Sequence, residues 1–355
     1  MAREFEIGVQ LHLPTFRHLS LPEFVRLGRM AHAGGISQFW VTDNLQSRNP
    51  FVVLAALAQS APLKLGTAVT VQYFRNPVDV ADSVAALTEL MDGREFGLGL
   101  ARGNRRTPRF VKVVKPISML RETAESVRLL LAGQEVRFAD YPTVASYFNL
   151  VPDAPFKLNF LPKVPGIALL WRQRAAGARR GRRVHGRHHL WRNVPVRGAR
   201  GIHGGLAPDC GGCGSRGGPK PALRKVAEIK LSVSKDARAA REFTKPSVAS
   251  RMIGLQEGGY GDCDFHKLGI APANQNRLQQ AENAGGSGGD YLDLVTDAMI
   301  DAIFVAGDPA GCREKMTEVC AIARSHGFQQ LMFSEFGPDL EQGLKLLCDE
   351  ILPGL

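Results

Sequence analysis

R-E-F-G-L-G-L-A-R-G-N, residues 94–104, is the stretch on which the reading of this chain turns. Phe96, Leu98 and Leu100 alternate with glycine as in a strand, which runs into Ala101-Arg102-Gly103-Asn104, a turn short of bulk. Glycines at 97, 99 and 103 leave room either for a neighbouring backbone in a close-packed strand or for a ligand at the turn. In a parallel α/β protein the carboxyl ends of the strands hold ligands, and such a turn offers backbone N–H groups to a phosphate or a flat ring. The dinucleotide fingerprint G-x-G-x-x-G fails, because Arg102 stands at its last position.

Upstream, Val80, Val84, Leu87 and Met91 recur at helical spacing behind an Asn76 cap and Pro77, and Asp92-Gly93 ends that helix. Before it, Leu63 to Val71 reads as a strand, Ser37 to Val41 as another with Thr42-Asp43-Asn44 at its end, and Glu6 to Leu13 as the first, ending near Gln10 and His12. Ser20 and Pro22 open a helix that Gly34-Gly35 stops. Four β-α units without a hairpin signal predict a parallel sheet covered by helices.

Downstream, Ile117 to Leu131 is an amphipathic helix, Phe138 to Phe160 an irregular aromatic loop or lid, and Pro165 to Leu170 the start of a fifth strand. Order returns with a strand at Val226 to Val233. A Gly-rich insertion loop at 254–289 follows, then helical Asp290 to Phe304 and a helix capped by Gly307-Asp308-Pro309. The last strand, Gln330 to Phe333, carries Ser334-Glu335 at its carboxyl end, before a closing helix from Leu340 to Leu352. These make seven strands, one short of a closed barrel.

With 355 residues, 44% of them hydrophobic, the chain can build one large core, read here as a single domain over 1–355. Six cysteines and no signal-peptide pattern predict a reduced cytoplasmic protein, and no apolar run reaches the roughly 18 residues of a membrane span. The net charge of +11 is local: residues 171–218 hold 11 Arg, no Lys and the single acid Asp209, leaving 34 basic against 33 acidic residues elsewhere. Cys210-x-x-Cys213 with nearby histidines suggests zinc, the Arg runs suggest nucleic acid, and a solvated insert is the plain alternative. None explains why a strand stops in mid-pattern, so neither a metal nor a nucleic-acid partner is assigned. A frameshift does explain it. Tryptophan is encoded only by TGG, and Trp171-Arg172-Gln173-Arg174 read one nucleotide later permits Gly-Gly-Asn-Gly, with a sixth strand further on. Read so, an inactive, frame-disrupted chain with an open barrel stands as an alternative to a working enzyme, and the nucleotide sequence across 165–220 decides.

The motifs W-V-T-D (Trp40 to Asp43), K-L-G-T-A-V-T (Lys64 to Thr70), V-A-A-L-T-E-L-M-D-G-R (Val84 to Arg94) with G-L-G-L-A-R-G-N after it, V-K-P-I-S-M-L-R-E (Val114 to Glu122) and V-A-G-D-P (Val305 to Pro309) occur in one order. In that order the chain resembles the luciferase-like flavin and deazaflavin oxidoreductases, and among them the branch similar to methylenetetrahydromethanopterin reductase. The resemblance implies a (β/α)8 TIM barrel, disrupted around 171–218, and an enzyme that moves hydride between coenzyme F420 and a small organic substrate. An FMN-dependent monooxygenase is the alternative. It also implies a bulge with a non-prolyl cis peptide at Ala68-Val69, with Thr67, Ala68, Val69 and Thr70 and then Ala101, Arg102, Gly103 and Asn104 flanking the cofactor. A Gly-Gly-x-Gly phosphate turn is replaced here by Trp171 to Arg174. Asp43, His12 and Glu335 are the catalytic candidates. Asn44 stands where relatives carry histidine and cannot shuttle a proton, and Asp43 has a plain alternative as a helix cap. No membrane partner is expected, and a homodimer is allowed.

Overall fold

In the computed structural model the described residues are 4–103, 107–162, 167–171, 188–193, 224–257, 272–283 and 292–355. Strands β1 (Glu6–Leu11), β2 (Gln38–Val41), β3 (Lys64–Val71) and β4 (Phe96–Ala101) alternate with helices α1 (Leu21–Ala33), α2 (Pro50–Ala58) and α3 (Pro77–Glu89). Next come α4 (Pro116–Leu131), the antiparallel ribbon β5 (Val136–Arg137) and β6 (Pro155–Phe156) with α5 (Pro142–Phe148) between its strands, β7 (Ile167–Trp171) and β8 (His188–Asn193). The chain continues through β9 (Arg224–Val233), α6 (Ala237–Glu257), α7 (Pro272–Asn283), α8 (Asp297–Ile303), β10 (Phe304–Gly307), α9 (Pro309–Ser325), β11 (Gln330–Gly337) and α10 (Leu340–Leu346).

The helices begin where the cap residues predict. The Ser20 hydroxyl accepts from the Glu23 N–H while the Glu23 carboxylate accepts from the Ser20 N–H at 2.5 Å. Asn76 accepts from Asp79 N–H at 2.9 Å and Asp308 from Gly311 N–H at 2.7 Å, each with proline next in the chain, whose missing N–H is harmless in a first turn.

Parallel pairing runs β1–β2–β3–β4–β7–β8–β9–β11 and back to β1, a ring of eight strands with helices outside. The long β9 divides one edge: Arg224 to Glu228 pair with β8, and Lys230 to Val233 pair with β10, which lies outside the ring. The sequence reading of seven strands is thus corrected twice. His188–Asn193 supplies the missing ring strand in the chain as written, so closure does not call for a shifted frame. The four residues of β10, wedged between two helices, are too few to show a period. Cys210, Cys213 and Arg172 to Arg174 lie outside the described residues.

Two further stretches differ from expectation. Residues 254–289, expected as loop, contain the last turn of α6 and all of α7. Phe138 to Phe160, expected as a loop or lid, packs into the main core through Phe138, Tyr141, Val144 and Ala145, with Phe138 edge-on to Phe156 at 5.1 Å between ring centres. Glu122 of α4 explains why it docks. Its buried carboxylate accepts from Thr143 N–H at 2.8 Å, Thr143 Oγ1 at 2.7 Å and Val144 N–H at 3.0 Å, closing the amino end of α5. Glu122→Ala leaves three buried donors without an acceptor and is expected to cost about 3 kcal/mol, read as a lower denaturant midpoint at unchanged slope.

Phe96, Leu98 and Leu100 belong to the large core shared with the helices, whereas Trp40, Ala68, Val226 and Met332 form a separate cluster within the barrel. Trp40 fits because glycine faces it: a Cβ on Gly66 would stand 2.2 Å from its ring, and one on Gly8 3.3 Å from its Nε1. Deeper in, Gln330 Nε2 donates to Gln38 Oε1 at 2.6 Å, both side chains being buried.

Candidate active site at the carboxyl ends of the strands

A bulge in β3 shapes the mouth of the barrel. Pairing with β4 slips between Thr67 and Thr70, and the Ala68-Val69 peptide is cis, as the resemblance implied. Three neighbouring strands hold this bulge. From β1, Gln10 Nε2 donates to Ala68 O at 2.5 Å; from the end of β2, Asp43 N–H donates to Val69 O at 3.0 Å. Toward β4, Thr67 Oγ1 takes the Gly99 N–H at 3.1 Å and donates to Gly99 O at 3.3 Å, replacing the ladder bonds lost at the slip. Gly99 is glycine because a Cβ there would lie 2.3 Å from Thr67 O.

On β1, β3 and the turns after β2 and β3, four buried polar atoms have no partner among the described residues: Gln10 Oε1, Asp43 Oδ1, Thr70 Oγ1 and Gln72 Oε1, the last on a side chain whose Nε2 donates to Pro116 O at 3.0 Å. Buried acceptors are normally satisfied, so these atoms are available to a group that donates. Asp43 is 2% exposed, and its Oδ2 accepts from Arg75 Nε at 3.1 Å. Burial pushes its carboxyl above the usual range, and the Arg75 guanidinium opposes that only in part. Arg75 also lies 5.6 Å over the Phe51 ring and 3.8 Å from Asp79. Asp43 is not a helix cap, because Asn49 caps α2 by accepting from Phe51 N–H at 2.9 Å. Asn44 Nδ2 instead reaches Thr42 Oγ1 at 3.4 Å.

At the end of β4, Ala101 O accepts from Gln72 N–H at 3.1 Å, Arg102 is exposed, and Gly103 sits at φ +85°. A Cβ on Gly103 would stand 2.1 Å from Thr107 Oγ1, so only glycine can make this turn. Asn104 lies outside the described residues.

Glu335 and His12 form a second group. Gln10 pairs with Ser334, which sets His12 and Glu335 at adjoining strand ends. Glu335 is ion-paired with Lys230 of β9, and His12 Nδ1 lies 2.8 Å from Thr15 Oγ1. Burial alone would raise the Glu335 carboxyl, but Lys230, with lesser help from His12 and Arg251, holds it below the usual range. Glu335 and Phe336 take φ +83° and +53°, a left-handed bend costing about 1–2 kcal/mol per residue.

Sequence reasoning did not select Gln72, Arg75 or Lys230. Gln72 and Arg75 follow β3 directly, and Lys230 stands between Glu228 and Ser232, two residues from each, a polar alternation that marks one face.

The sequence profile described as luciferase-like monooxygenase matches residues 4–186, just over half of the chain. The chain belongs to this family. It is 27% identical over 363 residues to the 5,10-methylenetetrahydromethanopterin reductase of Archaeoglobus fulgidus, covering 99% of both chains. Among solved structures it resembles the coenzyme F420 dependent tetrahydromethanopterin reductase from Methanopyrus kandleri, with a TM-score of 0.73 at 20% identity over 99% of each chain. It also resembles the oxygenating constituent of 3,6-diketocamphane monooxygenase from Pseudomonas putida, solved with FMN, with a TM-score of 0.58 at 16% identity over 99% of each chain. Members of this family therefore include both reductases and monooxygenases, and this chain shares their barrel. No helix among its described residues is long and apolar enough to cross a membrane.

Proposed function

We propose that this protein is an F420-dependent oxidoreductase passing hydride between the deazaflavin and a small organic substrate. The observation that carries the reading is the bulge at Ala68-Val69, clamped from three strands, together with the buried atoms of Gln10, Asp43, Thr70 and Gln72 that lack partners among the described residues. These atoms suit the residues to a flat ring bearing N–H and C=O groups: three acceptors and one hydroxyl, on a wall whose backbone is already fixed. Bound there, the deazaflavin supplies the carbon that gives or takes hydride. Gln10 and Asp43 orient the ring, Thr67 to Thr70 back it, and Ala101 to Gly103 line the way to its tail. His12 and Glu335 handle a proton at the adjoining ends of β1 and β11. The expected phosphate turn at Arg172 to Arg174 lies outside the described residues. A reduced cytoplasmic setting belongs to the same reading, supported by the buried thiols of Cys312 and Cys320.

Titrating the protein with F420 and following its absorbance and fluorescence tests this directly; absence of saturable binding sinks it. The family's monooxygenases support FMN as the second reading, and oxygen uptake with reduced FMN in place of F420 turnover selects it. Asp43→Ala removes the buried acceptor and its hold on Arg75, so F420 binding is expected to weaken about tenfold or more. Unchanged affinity in that variant removes Asp43 from the site.

A further inference from the structure

The end of β11 is bent in a way that the barrel does not require. Glu335 still pairs with Leu231, but the register then slips, and Gly337 rather than Phe336 meets Ser232. Two consecutive non-glycine residues, Glu335 and Phe336, occupy the left-handed region. Such conformations persist where surroundings over-determine them, and they gather at functional sites. Here the determinants are visible. Ser232 Oγ lies 3.1 Å from Gly337 O, and the Phe243 ring leaves no space for a Cβ at Gly337. Lys230 closes the bend by pairing with the Glu335 carboxylate while its ammonium lies 5.3 Å over the Phe304 ring. Both partners of this pair are largely withdrawn from water, at 11% and 17% side-chain exposure, where an ion pair directs charge more strongly than at a surface.

The charged groups facing Glu335 come from three elements: Lys230 from β9, His12 from the end of β1 and Arg251 from α6. Glu228 stands on the same strand as Lys230, with its Oε1 accepting from Ser334 Oγ at 3.3 Å. We propose that Lys230 is the positioning residue of a proton-handling pair, His12 and Glu335, at the adjoining ends of β1 and β11. Lys230 holds the Glu335 carboxylate ionised and bent toward the mouth, and that carboxylate in turn favours the protonated form of His12. The proton stays at the imidazole and Glu335 remains an anion. The inference rests on the proposed function only in taking this mouth as the substrate side.

The test needs no cofactor. Protein labelled with 13C,15N-histidine and 13C-glutamate is titrated by NMR; the His12 signal is identified by its loss in His12→Asn and the Glu335 carboxyl by its loss in Glu335→Gln. Glu335→Gln is expected to lower the proton affinity of His12 about tenfold. Lys230→Met is expected to raise the proton affinity of Glu335, so that Glu335 and His12 change together in shared steps. Lys230→Arg keeps the wild-type pattern. A merely structural Lys230 changes the melting temperature but neither titration. An unmoved His12 in Glu335→Gln, or a Glu335 in Lys230→Met that ionises as in wild type, overturns the proposal. Should Lys230→Met not fold, Lys230→Gln removes the same charge and is read by the same two titrations. Failure to bind F420 would sink the proposed function and leave these titrations standing.

Discussion

Arg94→Met is expected to lower the unfolding free energy by about 4 kcal/mol, the largest single loss outside the barrel interior. The guanidinium donates to five backbone carbonyls: Nε to Met91 O at 2.6 Å, Nη1 to Ala61 O at 2.8 Å and Leu63 O at 3.1 Å, and Nη2 to Ala58 O at 3.0 Å and Leu90 O at 3.1 Å. Those carbonyls close the ends of α2 and α3 and the entry to β3, where helix carbonyls would otherwise lack donors. Methionine keeps the length of the stem and removes every donor, so the result separates hydrogen bonding from packing. Arg94→Lys should recover only part of the loss, because one ammonium cannot reach carbonyls spread around a planar fork. Equilibrium denaturation of the three proteins checks both statements. A loss below about 1 kcal/mol for Arg94→Met would show that water serves these carbonyls equally well.

Gly66→Val should be at least as damaging, about 4 kcal/mol or more, with loss of ligand binding at the mouth above it. A Cβ at this position would stand 2.2 Å from the Trp40 ring and 2.7 Å from Gly97 O, and the second neighbour is backbone that cannot rotate away. Relief requires β3 and β4 to part, and the Thr67–Gly99 bonds that fix the bulge lie one residue further along. Gly66→Val combined with Trp40→Leu should regain stability relative to Gly66→Val alone, because the smaller side chain gives back volume at the contact. Thermal unfolding of both variants tests the packing argument, since a double variant no more stable than the single one rejects Trp40 as the neighbour that matters.

These positions mark how far the sequence could be read. Caps at Ser20, Asn76 and Asp308 were legible because capping is settled within four residues of chain. The parallel β-α order was legible because each of the first four strands is followed by a helix, with no hairpin turn between strands. Strand β10 and helix α7 were not: the first is too short to show a period, and the second carries few apolar residues, its Leu278 packing against the outer helices. Glu122 and Arg94 appeared in the sequence as members of motifs. Most of their partners are backbone groups on other elements, which no local pattern announces.

The opening stretch divides in the same way. Its alternation made Phe96, Leu98 and Leu100 one face of a strand, and its position after three β-α units put the turn on the ligand side. Both follow from chain order and the two-residue period of a strand. Which glycine serves packing and which serves the turn was decided only in three dimensions: Gly99 yields to Thr67 of the neighbouring strand, whereas Gly103 needs a positive φ. Gln10 on Ala68, Asp43 on Arg75 and Lys230 on Glu335 also exist only once the ring closes. Propensity and periodicity act over a few residues, whereas the groups that meet at this mouth come from strands up to a hundred residues and more apart.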